Sequence, residues 1–293
     1  MLTGNYVTFI LVTHNSAHCL SRLAKCLVEF ENILIVDNKS HDGTPEVISA
    51  EIPQARLIRS NYNVGFGAAN NIALGQVTTP YALLLNPDCV VTPGAIEKLI
   101  KSALDFPNFA IIAPQLVGAN GLFEISYRWP KDAWCSTGPI ASGICCVGFV
   151  SGAAMLLNMS VMRQIGFFDE RFFLYYEDED LCRRVFAAKA QIIVAPDSQF
   201  THLSRGSVRG KHPLRAEFSR GYHHAQSKLI FEQKHHSTAS ANKLRWRTLL
   251  LALLTLAARL LLPQPKYLAR LCGRILGLAQ FQHVRVERND TAS

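Results

Sequence analysis

The sequence predicts an α/β fold in which helices flank a mixed, mostly parallel central sheet. Three short apolar runs each end abruptly in polar residues: "VTFILV" ends at Thr13, "NILIV" at Asp37 and "YALLL" at Asn86. Near-continuous apolar strands that alternate with helices are typical of a parallel sheet covered on both faces. Since ligands bind beyond the carboxyl ends of such strands, we expect these polar residues to converge on one crevice.

The segments between these strands have helical patterns. The first carries leucines at three-to-four spacing behind Ser16 as a cap, and the second begins with Thr44 as a cap, followed by Pro45. A third, "NYNVGFGAANNIALG", turns at its glycines and then continues as a helix. The glycines would let the backbone approach a phosphate, although a lone GxG is weak support for a dinucleotide site.

After residue 110 the pattern is irregular. We expect a long loop over 127–139, a helix from about 179 to 189, and a basic, histidine-rich loop over 201–215. With no repeat or low-complexity segment to divide it, residues 1–238 are interpreted as one domain. Residues 239–293 are interpreted as a separate amphipathic helical region.

The C-terminal region is basic and apolar together. Residues 243–280 contain seven basic side chains and no acidic one, and the longest apolar stretch, 248–258, is shorter than the ~20 residues that cross a bilayer. Lysine and arginine recur every four residues after Pro265, and Trp246 lies among basic residues. This favours a helix lying on an anionic membrane surface. The alternative is a helix pair that packs on the domain with its basic residues outward.

Bulk composition limits the partners and the compartment. The formal net charge of +8 favours an acidic partner, such as nucleic acid, anionic lipid or a phosphorylated substrate. The eight cysteines lack zinc-site spacing and are interpreted as reduced thiols, and the N-terminus lacks the pattern of an export signal. We therefore expect a cytoplasmic protein.

Four consecutive acidic residues, Glu177, Asp178, Glu179 and Asp180, follow a cluster of aromatic residues. A helix dipole favours acidic side chains in the first turn, which would account for one or two of them. Because adjacent like charges repel and the aromatic neighbours suggest partial burial, we expect at least one carboxylate to have a functional role.

The order of motifs identifies a family resemblance. The segments "VTHNS", "VDNKSHDGT", "NVGFGAANN", "LLLNPD", "GFFDERFFLYYEDEDLCRR" and "HLSRGS" resemble the inverting family-two glycosyltransferases of the GT-A fold, and in particular their bacterial rhamnosyltransferase branch. The similarity spans about residues 5 to 235. It implies that Asp37 hydrogen-bonds a pyrimidine base and that the nucleotide site also includes Thr13, Asn15, Asp42, Asn63, Gly65 and Asn70.

The resemblance also implies a metal site. Asp88 matches the last aspartate of the family's metal-binding DxD motif, and Asn86 replaces the first. His202 is expected to reach the cation or the diphosphate from the other side. A carboxylate after a strand can hold Mg²⁺ or Mn²⁺, which neutralises a diphosphate leaving group.

The family resemblance also implies that the catalytic base lies in the acidic run. The family's base corresponds to Asp178, with Glu177 beside it; Asp180 and Arg183 would hold the helix start, and Glu179 would be solvated. A single carboxylate that takes the proton from the attacking hydroxyl fits inversion, whereas a double displacement would need a second carboxylate as nucleophile.

Three functions compete at this point. The first is a peripheral membrane glycosyltransferase on the inner face of the plasma membrane that moves L-rhamnose from dTDP-rhamnose to a polyprenyl-diphosphate-linked glycan in cell-surface polysaccharide assembly. The second is a catalytically silent member that binds a nucleotide or glycan in an assembly complex. The third, a nucleic-acid-binding protein, depends only on the positive charge, and we expect no nucleic-acid partner because no recognition motif accompanies it.

Overall fold

The alternation of strands and helices that the sequence predicts is present in the structure. The computed structural model describes residues 6–128, 139–203, 213–261 and 264–283. The strands are β1 (Val7–Thr13), β2 (Ile33–Asp37), β3 (Arg56–Arg59), β4 (Tyr81–Leu85), β5 (Cys89–Val90), β6 (Phe109–Gly118), β7 (Phe123–Glu124), β8 (Tyr127–Arg128), β9 (Cys145–Cys146), β10 (Phe149–Val150), β11 (Ala154–Asn158) and β12 (Gln191–His202). The helices are α1 (Ala17–Leu27), α2 (Thr44–Glu51), α3 (Phe66–Leu74), α4 (Pro93–Asp105), α5 (Met159–Ile165), α6 (Glu177–Ala187), α7 (Pro213–His235), α8 (Thr238–Leu261) and α9 (Pro265–Ala279). The loops predicted at 127–139 and 201–215 lie largely outside the described residues.

One mixed sheet has the strand order β3-β2-β1-β4-β11-β6-β12-β5. Strands β3, β2, β1 and β4 are parallel, as are β6 and β12, whereas β11 is antiparallel between β4 and β6. Strands β7 and β9 extend the sheet beside β6 and β12, and β8 pairs separately with β10. The predicted mixed, mostly parallel sheet is confirmed.

Helices cover both faces of this sheet, as predicted. Successive residues of β1 show why: Phe9 and Leu11 belong to one buried apolar cluster, and Ile10 between them belongs to the other. Side chains alternate across a strand, so a strand that is apolar at every position must be covered on both faces. The first cluster includes leucines of α1 and α4, and the second includes residues of α3, α5 and α6.

The helix starts differ from the sequence prediction. Helix α1 follows Ser16, but the Ser16 side chain does not cap it; the Asp42 carboxylate instead accepts the Ala17 N–H at 3.1 Å. Helix α2 begins at Thr44, with Gly43 as its cap residue at φ +83°, and Asp42 also accepts the Thr44 N–H at 3.1 Å. The helix predicted at about 179 to 189 begins two residues earlier, as α6.

Packing divides the chain into two compact units. The first, called the sheet unit below, comprises residues 1–169 and 178–209. The second, called the helical unit, comprises residues 170–177 and 210–293. Helix α7 packs with α9 inside the helical unit, so the two compact units are not divided at residue 238. The division between 1–238 and 239–293 rests on composition and stays a prediction about function.

Glycines bring α7 and α9 into close contact. A methyl group at Gly221 would lie 2.0 Å from the Arg270 carbonyl oxygen, and one at Gly273 would lie 2.0 Å from the Phe218 carbonyl oxygen. A methyl group at Gly277 would lie 2.6 Å from another carbonyl oxygen of α7. Because real Cβ atoms essentially never approach within 3.0 Å, this spacing requires glycine at all three positions.

Helices α8 and α9 present their apolar residues differently. In α9, Leu271 and Leu278 are buried, as the packing alternative expects of a C-terminal helix. Helix α8 instead exposes a set of large apolar side chains, namely Trp246, Leu250, Leu251, Leu253 and Leu254. Within the described residues, no helix combines the length and the apolar character needed to cross a membrane.

Candidate active site

Thr13 and Asp37 lie side by side at the carboxyl ends of β1 and β2. The Thr13 hydroxyl donates to Asp37 Oδ1 at 3.1 Å, and the Ser40 N–H donates to Oδ2 at 3.0 Å. Both Thr13 and Asp37 are buried. These contacts fix the carboxylate at the predicted edge of the sheet, and each of its oxygens retains a lone pair for a further donor.

Asn38 connects this edge to the glycine turn before α3. Its side-chain amide donates to Asn63 Oδ1 at 2.9 Å, and its side-chain oxygen accepts the Val64 N–H at 2.9 Å. Gly65 has φ +93°, a backbone conformation that favours glycine. The predicted site residues Asn63 and Gly65 are therefore held against the end of β2 by a residue that the sequence analysis did not select.

The other predicted nucleotide-binding residues make local hydrogen bonds. Asn15, at φ +54°, accepts the His41 N–H at 2.8 Å. Partial burial alone would raise the pKa of Asp42, but hydrogen bonds from Thr44 and from the start of α1 outweigh it and lower that pKa. Asn70 is buried and donates to a carbonyl oxygen of its own helix at 3.0 Å. Roles for Asn15, Asp42 and Asn70 in nucleotide binding stay predictions.

Asp88 and His202 are brought together by the pairing of β5 with β12. His202 lies opposite Cys89 in that pair, and His202 Nε2 is 3.6 Å from Asp88 Oδ1. Atoms of Asp88, Cys89 and His202 that could bind a metal all lie within 4.8 Å of one another. On the other side of the imidazole ring, Glu124 Oε2 is 3.8 Å from Nδ1. The predicted metal residues thus share one cluster.

The chemistry of the cluster fits a hard divalent cation held by Asp88 and His202. Burial raises the pKa of the Cys89 thiol far above its ordinary value, and the thiol contacts the Ala153 carbonyl oxygen at 3.5 Å. A protonated thiol is a poor ligand. Carboxylate oxygen and imidazole nitrogen both suit Mn²⁺, and carboxylate also suits Mg²⁺.

Asp178 lies in the first turn of α6 and is held by two backbone N–H groups. Its Oδ2 accepts the Gly152 N–H at 3.1 Å, and its Oδ1 accepts the Glu179 N–H at 2.9 Å. Burial raises the pKa of Asp178, while the bond from Gly152 opposes that rise. A carboxylate with a raised pKa is a better proton acceptor than an ordinary aspartate, as general-base catalysis requires.

The segment before β11 joins Asp178 to the turn that bears Asp88. Its Gly152 N–H contacts Asp178, and the next residue, Ala153, accepts the Asn86 N–H through its carbonyl oxygen at 2.9 Å. A methyl group at Gly152 would also lie 3.5 Å from the Phe66 ring, at the start of α3. The candidate base, the glycine turn and the turn bearing Asp88 therefore border one region of the sheet unit.

Glu179 is not solvated, contrary to the sequence prediction. Its carboxylate forms an ion pair with Arg128 at 2.6 Å, and both side chains are mostly buried. The Arg128 guanidinium also lies 4.5 Å from the centre of the Phe149 ring, which is opposite it in the β8–β10 pair. Burial is the main cause of the raised pKa of Asp178, and the charge of Arg128 opposes it whereas that of Glu179 adds to it.

Asp180 anchors α6. Asp180 is fully buried and pairs with Arg184 at 2.9 Å, and Arg184 also donates to the Gly166 carbonyl oxygen at 3.0 Å. Asp180 thus has the anchoring role that the sequence predicted, with Arg184 as its ion-pair partner; the role predicted for Arg183 stays a prediction. Glu177, the first residue of α6, is buried.

The two residues before α6 have strained backbones. Tyr175 and Tyr176 have φ +70° and +67°, which costs a non-glycine residue roughly 1–2 kcal/mol. Both rings make edge contacts with His224, at centroid distances of 5.6 and 5.5 Å. The Ser227 hydroxyl also donates to the Leu174 carbonyl oxygen at 2.9 Å. Contacts with α7 thus hold this segment inside the helical unit.

Comparison with known proteins identifies the family. The model of glycosyl transferase family 2 matches residues 8–162, which is more than half of the chain. The chain belongs to this family. It is 28% identical over 246 residues to an N-acetylglucosaminyl-diphospho-decaprenol L-rhamnosyltransferase of Mycobacterium tuberculosis, covering 73% of this chain and 78% of that protein. It is 26% identical over 189 residues to a low-salt glycan biosynthesis hexosyltransferase of Haloferax volcanii, covering 61% of each chain.

Solved structures of other glycosyltransferases share the fold. A mannosyltransferase from Pyrobaculum calidifontis in complex with GDP-Man and Mn²⁺ has a TM-score of 0.56 at 15% identity, covering 95% of this chain and 87% of that one. GalNAc-T7 with UDP, GalNAc and Mn²⁺ also has a TM-score of 0.56, at 12% identity, covering 80% of this chain and 51% of that one. The GT-A fold of this family 2 glycosyltransferase, implied by its motifs, is confirmed.

Sequence reasoning missed three residues that organise the candidate site. Asn38 stands beside Asp37 inside the motif "VDNKS", so its position after a strand is a signal that could have identified it. Gly152 and Arg128 have no comparable signal, because their contacts join segments 26 and 51 residues apart in the chain.

Proposed function

We propose that this family 2 glycosyltransferase is an inverting rhamnosyltransferase. It transfers L-rhamnose from dTDP-rhamnose to a hydroxyl group of a polyprenyl-diphosphate-linked glycan, at the cytoplasmic face of the membrane, in the assembly of a cell-surface polysaccharide. The donor and the acceptor are argued from the likeness to the mycobacterial enzyme, whose name specifies both rhamnosyl transfer and a diphospho-decaprenol acceptor.

The observation that carries the proposal is the position of Asp178. Its carboxylate is partly buried, is oriented by the Gly152 N–H, and borders the same region as Asp88. In the proposed step, the acceptor oxygen forms a bond to the anomeric carbon, the bond from that carbon to the diphosphate oxygen breaks, and the diphosphate leaves with the electron pair. Asp178 takes the hydroxyl proton. A single displacement inverts the anomeric centre.

Asp88 and His202 are proposed to hold Mg²⁺ or Mn²⁺. The cation would supply positive charge to the diphosphate leaving group, so no protein acid is needed there. Thr13, Asp37 and the Asn63–Gly65 turn are proposed to bind the nucleoside, with Asp37 accepting a hydrogen bond from the base. Asn15, Asp42 and Asn70 are proposed to contribute from the ends of the same segments.

The exposed apolar side of α8 is proposed to bind an anionic membrane. It combines Trp246, Leu250 and Leu254 with the exposed cations Lys243 and Arg247. A contiguous exposed set of large apolar side chains usually marks an interaction surface, and nearby cations favour an anionic lipid surface as the partner. The peripheral association predicted for residues 239–293 is therefore assigned mainly to α8.

A donor-hydrolysis screen tests the catalytic proposal. Purified protein is incubated with a panel of nucleotide sugars, with and without Mn²⁺, and release of the nucleoside diphosphate is measured. We expect metal-dependent turnover of dTDP-rhamnose above the other donors. The Asp178→Asn variant should bind the donor with unchanged affinity but lose transfer to an added acceptor.

The alternative functions give different outcomes. A catalytically silent member would bind a nucleotide sugar without any turnover. Turnover of a different donor would retain the glycosyltransferase but overturn the assignment of rhamnose. Leu250→Gln with Leu254→Gln removes exposed apolar side chains of α8 and leaves the packing of α9 intact, so it should release the protein from vesicles while donor hydrolysis persists; unchanged vesicle binding would remove α8 as the membrane-binding surface.

A further inference from the structure

A small cavity lies within the helical unit, and none of its lining residues belongs to the candidate active site. It has a volume of about 70 Å³ and is lined from α7, α8 and α9. Leu229, Leu244 and Leu278 form its apolar part, and Lys228 and Arg274 contribute positive charge. Pockets that enclose whole ligands are usually ~300–1,000 Å³, whereas a water molecule occupies ~30 Å³. The cavity therefore has room for a compact group, and a nucleotide would not fit.

The charge at this cavity is unbalanced. In the part of the chain that the structure describes, neither Lys228 nor Arg274 forms an ion pair with a carboxylate. The neighbouring Arg270 does, since it binds Glu217 at 2.6 Å. Glu217 also binds Arg220 at 2.8 Å, so its carboxylate is already used. Two partly buried cations that converge without a counter-charge favour an anion between them.

His224 adds a hydrogen-bonding group without adding charge. It lines the cavity, and burial, followed by the charges of Arg274 and Lys228, lowers its pKa to about 4. At neutral pH the ring is uncharged and can still donate one N–H. Thr248, from α8, supplies a hydroxyl group to the same cavity. Cationic and neutral donors of this kind are the usual partners of phosphate oxygens.

The source of such a phosphate is indicated by α8. Helix α8 places Leu244 and Thr248 at the cavity and exposes Leu251 less than one turn beyond Thr248 on the same side, while Trp246, Leu250 and Leu254 are exposed on its other side. We propose that the cavity binds the phosphate group of a membrane lipid, whose acyl or prenyl chain remains in the bilayer beside α8. This inference depends on the membrane association proposed above, and it gives that association a specific headgroup site.

Vesicle binding tests the site independently of catalysis. The full-length protein is titrated with phosphatidylcholine vesicles that contain phosphatidic acid, a phosphomonoester, or phosphatidylglycerol, a diester, at equal zeta potential. Wild type should prefer phosphatidic acid by about tenfold, because a compact phosphomonoester can accept several charge-assisted hydrogen bonds in the cavity. Inorganic phosphate, added as a competitor, should reduce that preference.

Two variants remove the site in different ways. Lys228→Gln with Arg274→Gln removes both cations, and Thr248→Leu fills the cavity while all charges remain. Each should bind the two kinds of vesicle equally. The control, Lys25→Gln with Lys101→Gln, removes the same charge from exposed positions of the sheet unit and should keep the preference. Circular dichroism and thermal unfolding confirm that each variant is folded.

Several outcomes would overturn the inference. It is wrong if wild type shows no preference, or if Thr248→Leu keeps the wild-type preference while folded. Binding of inorganic phosphate without any vesicle preference would assign the site to a soluble phosphate and reject the lipid. Donor hydrolysis is measured in parallel: if it is absent while the lipid preference holds, the catalytic proposal fails and the lipid site stands.

Discussion

Gly273→Ala tests the close packing of α7 and α9. An added methyl group would lie 2.0 Å from the Phe218 carbonyl oxygen, whereas the closest real contacts of this kind are near 3.0 Å. The two helices must therefore separate locally by about 1 Å. The obstacle is a backbone oxygen of α7, which cannot move away by rotating a side chain.

The expected net effect is a loss of about 2 kcal/mol in the stability of the helical unit. Overpacking a close contact costs typically ~1–3 kcal/mol, and a backbone obstacle places this site at the upper end. Alanine in place of glycine recovers ~1 kcal/mol through helix propensity and the lower entropy of the unfolded chain. Two compact units need not unfold together, so a single global transition is not the appropriate measurement.

Hydrogen–deuterium exchange of peptides from α7 and α9 measures this loss directly, since local opening reports local stability. Exchange in those peptides should become about thirtyfold faster, the factor that corresponds to ~2 kcal/mol. Gly94→Ala in α4 is the matched control, because nothing lies within 4 Å of the added methyl group. The control should be neutral or slightly stabilising. Unchanged or slower exchange in Gly273→Ala would refute the packing argument.

The remaining predictions concern the candidate active site. Asp178→Asn should lower the rate of transfer ~10²–10⁴-fold with donor affinity retained, because it removes the proton acceptor; near-normal turnover would exclude Asp178 as the base. Arg128→Gln should shift the acidic limb of the pH–rate profile to higher pH, since the arginine charge favours the ionised form of Asp178, and Glu179→Gln should shift it to lower pH. Shifts of the same sign would refute this coupling. Asp88→Ala should abolish transfer and Mn²⁺-dependent donor binding, which calorimetry with Mn²⁺ and nucleoside diphosphate measures; normal Mn²⁺ dependence would remove Asp88 from the metal site.

The strand ends were predictable because the signal is local. Thr13, Asp37 and Asp88 each follow an apolar run directly, and parallel strands bring such positions to one edge of the sheet. His202 required the family resemblance, because its place beside Asp88 depends on the pairing of β5 with β12. That pairing joins residues more than a hundred positions apart, and no local pattern specifies it.

The prediction for Glu179 was wrong because the competing interaction came from a distant segment. A glutamate in an acidic run is usually solvated, but Arg128 reaches Glu179 from another strand. The packing of α9 was also hidden from the sequence, since it depends on Gly221 of α7 and Gly273 of α9, which allow the two backbones to meet. In the sequence alone, a glycine inside a helical pattern indicates only a lower helix propensity. The close approach of two backbones that it allows becomes visible only when the partner helix is known.

The strained tyrosines show what the helical unit gains from their rings. Glycine at position 175 or 176 would adopt the observed φ values without the steric cost that Tyr175 and Tyr176 bear. It would also lose the ring contacts with His224 and increase the entropy of the unfolded chain, and these two losses together exceed the strain that is relieved. Laboratory evolution for heat resistance should therefore keep an aromatic residue at both positions.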